Sequence, residues 1–168
     1  MRRRAVLIGL LSLTQCKLDR PDGALPPPRE ITDASIGQFC GMSLSEHAGP
    51  KGQIFVRDLP DPYWFATVRD AFAFAMLPEM PKAITAIYVS DMARARNWDQ
   101  PEPGTWIEAH QAFFVIRSRR LSGMQTDEAI PFGDDATAAR FTSANGGRVV
   151  RFADMPRDYI LTAAVEPQ

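Results

Sequence analysis

FATVRDAFAFAMLPEMPKAITAIYVSDM, residues 65–92, reads as a helix followed by a strand. Val68, Ala71, Phe72, Ala75 and Met76 recur at i, i+3, i+4, i+7 and i+8, which is one face of a helix. Thr67 stands where a cap is expected, and Asp70 three residues on favours the positive helix end. Pro78 stops the helix. Residues 84–90 (ITAIYVS) are rich in β-branched and aromatic side chains and read as a strand.

The second half repeats this order weakly. Asp70-Ala71 precedes Asp91-Met92 by 21 residues, and Asp135-Ala136 precedes Asp154-Met155 by 19. Coincidence is the alternative. The second helix starts at Asp134 or Asp135 and ends at Asn145-Gly146-Gly147, where a left-handed residue is easy. Further strands are expected at 53–57, 112–117 and 148–152, with 106–110 as an addition. Residues 97–104 (NWDQPEPG) hold three turn formers and read as a link. The expected class is α+β, built as two small ββαβ-like units at 36–96 and 105–168.

Ahead of these units lies MRRRAVLIGLLSLTQC. Arg2, Arg3 and Arg4 precede a short apolar run, too short for a spanning helix, which needs about 20 residues. Residues 1–15 read as a signal peptide. Leu13-Thr14-Gln15-Cys16 resembles a bacterial lipobox, with Cys16 the lipidated residue, although Gln15 replaces the usual small residue. An ordinary signal peptide cleaved nearby is the other reading. Residues 16–35 are polar and Pro-rich, with PPP at 26–28, and read as a tether between lipid and body.

Cleavage before Cys16 leaves 16 Lys+Arg against 20 Asp+Glu, a net charge near −4. Nothing in that balance suggests nucleic acid, which calls for a clustered basic face. Arg117, Arg119 and Arg120 form a small basic group, readable as a solvated strand end or as an anion or partner site. The chain holds two cysteines and two histidines. If Cys16 carries lipid, Cys40 is the remaining thiol of an exported protein, and such a thiol is a reactive group or a metal ligand.

Cys40 and Met42 are separated by Gly41. In an extended backbone their side chains would share one side, and Gly41 would equally permit a tight turn. A thiolate with a thioether selects Cu(I) over hard cations. Zinc sites usually take four Cys, His or carboxylate ligands, and neither CxxC nor HExxH is present. His47, in a Gly/Pro-flanked loop, is a candidate third ligand or an exposed loop residue. Met124 and Met92 are other sulfur candidates. Met76 belongs to the apolar helix face, Met80 could be exposed or packed, and His110 reads as a strand or turn residue. The bland reading of CGM is a buried thiol and a buried thioether, since both are common in cores.

CGM at 40–42, EHAGPKGQI at 46–54, VRDAFAF at 68–74, YVSDM at 88–92, and SRRLSGM with EAIPF between 118 and 132 together resemble the NosL family, the accessory lipoproteins of nitrous oxide reductase. The resemblance covers nearly the whole chain after the signal. It implies two homologous ββαβ units, similar to organomercurial lyase. It implies a lipid-anchored, Cu(I)-binding protein on the periplasmic side of a bacterial membrane. The partners it implies are nitrous oxide reductase and its copper-site assembly machinery, in denitrification. The family's Cys-x-Met ligands carry over to Cys40 and Met42, and the implied histidine ligand is assigned to His47. Where some members have Asp before the cysteine, this chain has Phe39.

The expected function is therefore a copper metallochaperone. A metal-free docking or scaffold lipoprotein is the alternative. A thiol-dependent enzyme is the third reading, and it is opposed by the single thiol and by the absence of G-x-S-x-G, GxGxxG or a P-loop; GPKG at 49–52 lacks the rest of that pattern.

Overall fold

The computed structural model describes residues 24–162, so the signal stretch and Cys16 lie outside it. A first ββαβ run comprises β1 (Gly52–Val56), β2 (Tyr63–Phe65), α1 (Val68–Met76) and β3 (Ile84–Ser90). After β4 (Trp106–Glu108), a second run comprises β5 (Phe113–Ile116), β6 (Ile130–Phe132), α2 (Asp135–Asn145) and β7 (Arg148–Arg151). Helix α3 (Arg157–Leu161) follows. The sheets are ordered β2-β1-β3-β4 and β6-β5-β7. In each, the first strand of the run lies between the second and third, antiparallel to both. The two runs thus share one topology, and the fold is α+β.

The helix signals act as their chemistry requires. Thr67 Oγ1 accepts from Asp70 N at 3.0 Å, and Asp134 Oδ1 accepts from Thr137 N at 2.7 Å. Helix α2 ends on Gly146 and Gly147, with φ of 74° and 87°, where a Cβ at Gly147 would meet Ile116 O at 2.4 Å. The buried face of α1 is wider than the stripe in the sequence. Phe74 is buried beside Val68, Ala71 and Phe72, while Ala75 and Met76 are half-buried. Phe74 faces Tyr63 and Phe65, with ring centroids 4.9 and 5.3 Å away, because β2 covers that flank.

Period-two alternation distributes the core. Phe114, Ile116 and Val150 join Ile54, Ile87, Val89 and the α1 and α3 side chains in the main cluster. Val115, Ile130, Phe132 and Ala138 form a second cluster between the smaller sheet and α2. The main cluster therefore draws on both units. Strand β4, from the segment read as the start of the second unit, extends the first sheet by pairing with β3. Its Trp106 packs with Phe55, Ala86 and Tyr88 on that sheet's outer face.

That outer face also holds part of the Pro-rich segment. Tyr88 OH donates to Pro26 O at 2.7 Å, and the fully buried Gln53 side chain accepts from Arg29 N and donates to Arg29 O. Residues 26–30 are thus a docked strap, so this part of the expected 16–35 tether is not a free link. Gln53→Ala removes both bonds from a buried site, a loss of about 2 kcal/mol. Urea unfolding should read that loss, and limited proteolysis should show faster cutting within residues 26–31.

Candidate metal centre

Residues 36–43 form a small hairpin. Ile36 bridges Ser43, Gly37 N donates to Met42 O at 2.9 Å, and Gly41 N donates to Gly37 O at 2.8 Å. Gly41 has φ 68°, so the CGM stretch is a turn and not an extended run. Glycine takes that conformation at no steric cost. The hairpin docks on the edge of β2: Gln38 N donates to Trp64 O at 2.7 Å and Gly37 bridges Trp64. Phe39 packs edge-on against Phe65 at 5.7 Å and lies 6.2 Å from Phe74. Leu44, fully buried, fixes the far end.

The hairpin displays its sulfur atoms. Cys40 is a free, half-buried thiol, and Met42 is 41% exposed. This overturns the bland reading of two core residues. A thioether left in water has no packing reason to be there. Sγ of Cys40 lies over the backbone of Gly37, where a Cβ would come within 2.5 Å of it. Gly37 therefore makes room for the thiol, a role with no signature in the sequence.

His47 follows a short 3-10 turn at Leu44–Glu46, so the turn joins it to the hairpin. It is buried, and among the described residues its Nε2 has no hydrogen-bond partner. The exposed-loop reading of His47 therefore fails. A buried polar atom without a partner costs about 1–3 kcal/mol, and an imidazole nitrogen in that position is available as a ligand. The following loop is braced by distant residues. Gly49 N donates to Asp99 O, buried Lys51 donates through Nζ to Gly49 O, and Gly123 packs directly on the backbone of Ala48. That contact places Met124, half-buried, in the loop lying against the residue after His47. Among the described residues no three His, Cys, Asp or Glu side chains gather to hold a metal. Beside Cys40 the hairpin offers a different donor type, the exposed thioether of Met42.

The other candidates have structural partners. Met92 is buried in the second cluster, and Met76 and Met80 pack against the main one. His110 is an exposed turn residue whose Nδ1 lies 2.7 Å from Glu108. Arg117 faces Asp158 at 3.7 Å, Arg119 donates to Ala144 O at the end of α2, and Arg120 lies over Trp98. The three arginines have separate partners, and Arg119 and Arg120 also line one cleft with Trp98 and Asp99. Cys16 lies outside the described residues.

A family model described as NosL matches residues 28–160. The chain is 43% identical over 164 residues to the copper-binding lipoprotein NosL of Achromobacter cycloclastes, covering 96% of this chain and 84% of that protein. It is 28% identical over 138 residues to the copper-binding lipoprotein NosL of Stutzerimonas stutzeri, covering 82% and 70%. Among solved structures, the crystal structure of the copper chaperone NosL from Shewanella denitrificans superposes with a TM-score of 0.73 at 28% identity, over 79% of this chain and 98% of that one. The solution structure of apo-NosL from Achromobacter cycloclastes gives 0.51 at 44% identity, over 70% and 94%.

Proposed function

The chain belongs to the NosL family, and on that premise we propose that it is a Cu(I) metallochaperone. It is anchored through lipid on Cys16 to the periplasmic side of a bacterial membrane and assists copper-site assembly in nitrous oxide reductase. The relatives are described as copper-binding and chaperone proteins, not as enzymes. The observation that carries the reading is the display of CGM on a docked hairpin, with a half-buried thiol and an exposed thioether on either side of a left-handed glycine.

The copper ion is cargo. The Cys40 thiolate supplies the anionic donor, the Met42 thioether a soft neutral one, and the His47 imidazole a third through its unpartnered Nε2. Few ligands leave the ion open to a donor from the recipient, so transfer proceeds by ligand exchange without free copper. Ile36 and Phe39, both exposed, give the hairpin an apolar rim, the kind of surface partners bind. Lipid anchoring raises the concentration of this rim near other proteins of the same membrane.

X-ray absorption on anaerobically Cu(I)-loaded protein tests the donor set. Two sulfur neighbours and one nitrogen are expected in the wild type, and His47→Ala should lose the nitrogen while keeping both sulfurs. A wild-type spectrum without a sulfur pair would refute the proposed site.

A further inference from the structure

The docked strap fixes where the chain leaves the body on its way to the lipid. Pro26 lies by Tyr88, Arg29 by Gln53, and Glu30 bonds Gly104 N and Trp106 Nε1. The strap runs along the sheet from the Val56 end of β1 towards the Gly52 end. Ala24 consequently sits beside the turn after β1, where it shares with Val56, Arg57 and Leu59 a cleft of about 270 Å³. The metal hairpin lies at the opposite end. It bonds Trp64, the partner of Gln53, and packs on Phe65, the partner of Gly52. Strand β1 alone separates the two ends by about 14 Å at a rise of about 3.4 Å per residue.

The exit corner carries two exposed leucines among charged side chains. Leu25 is 52% exposed and Leu59 44%. The charges around them balance: Arg29 pairs with Asp61 at 2.6 Å, and exposed Arg57 adjoins exposed Asp58. Eight residue steps separate Cys16 from Ala24, and these span at most about 28 Å.

We propose that the Leu25–Leu59 corner rests on the lipid surface that holds the anchor, with the copper hairpin turned away from the membrane. This inference rests on the reading of Cys16 as lipidated. The occupant is lipid because the two exposed leucines lie at the end where the described chain begins, eight residues from the anchor. The lipid on Cys16 holds the chain at the membrane, and the corner contact sets its orientation there. The absence of a net basic charge at the corner makes the contact apolar and insensitive to salt. Its use is access: a hairpin facing away from the bilayer meets a recipient that projects from the same membrane.

Methyl NMR of the lipidated full chain on nanodiscs doped with a gadolinium-chelate lipid tests this. Loss of the Leu25 and Leu59 methyl signals is expected, with those of Met42 and Ile36 retained. Leu59→Asp, at an exposed position, should remain on the disc and lose the difference between the two ends. Loss of Met42 with Leu25 and Leu59 retained, or uniform loss, overturns the orientation while leaving the anchor intact. A chain that does not copurify with the discs refutes the lipidation reading, and the inference with it. Broadening of Leu25 and Leu59 without gadolinium, growing with protein concentration, would assign the corner to a second copy and overturn the inference as well.

Discussion

Cys40→Ala is expected to weaken Cu(I) binding by about 100-fold or more, since loss of even an outer-shell partner costs about 10–100-fold in metal affinity. In the proposed site Cys40 is the anionic donor, and without it the ion would be left with neutral ligands that cannot offset its charge. The fold should tolerate the change. The thiol is half-buried and small, and the backbone bonds that close the hairpin run between Gly37, Gly41 and Met42. Stability should therefore move by no more than about 1 kcal/mol. An anaerobic titration against a competing Cu(I) chelator, with urea unfolding on the same samples, separates the two effects. An Ala variant that binds as tightly as wild type would place the copper elsewhere.

Glu128→Ala should have the largest effect on stability, about 3–5 kcal/mol out of a typical total of about 5–15. Glu128 comes from the second half of the chain, yet its fully buried carboxylate accepts from Val68 N at 3.3 Å and Arg69 N at 2.9 Å, the first amides of α1, and from Ala129 N at 2.8 Å. Removing it strands those amides in a closed interior, and it deprives buried Lys51 of a nearby negative charge. Glu128→Gln keeps one acceptor oxygen and should cost less. Burial also pushes the Glu128 carboxyl up to about 7, against the pull of its amide donors. The folded chain therefore holds a proton that the unfolded chain releases near its ordinary value of 4.5. Stability from this group is present below about pH 4.5 and is lost as pH rises to about 7, by roughly 3 kcal/mol at most. Burial pushes Lys51 down to about 8, with Glu128 and Asp99 opposing. Its cost is relieved only as pH climbs above 8. Urea unfolding between pH 5 and 8 should show the decline in wild type and not in Glu128→Gln.

The parts of this fold that local chemistry decides were legible in the sequence. Thr67, Asp134 and the Gly146-Gly147 pair act within one turn of the chain, and they mark both long helices correctly. The longer strands were visible because several β-branched residues accumulate in each. Strands β2 and β6, three residues apiece, are too short to show a period, and Pro131 argues against a strand. It is tolerated because β6 lies at a sheet edge, where a missing N–H costs little. Phe74 was missed because its burial comes from β2 and from Phe39, far from the helical stripe. The sulfur pair was visible as CGM, but its turn geometry was only one of two options until Gly41 showed a positive φ. Gly37 could not be found at all, since its role is the space it leaves for Cys40.

The hairpin that carries the sulfurs has a second duty. By bonding to Trp64 it occupies the outer rim of β2, which would otherwise present bare amide and carbonyl groups to other chains. Disordering this hairpin would uncover a template for strand addition at the same moment that it scattered the proposed ligands. A copy that lost the proposed copper site would thus also become prone to pair, edge to edge, with its neighbours.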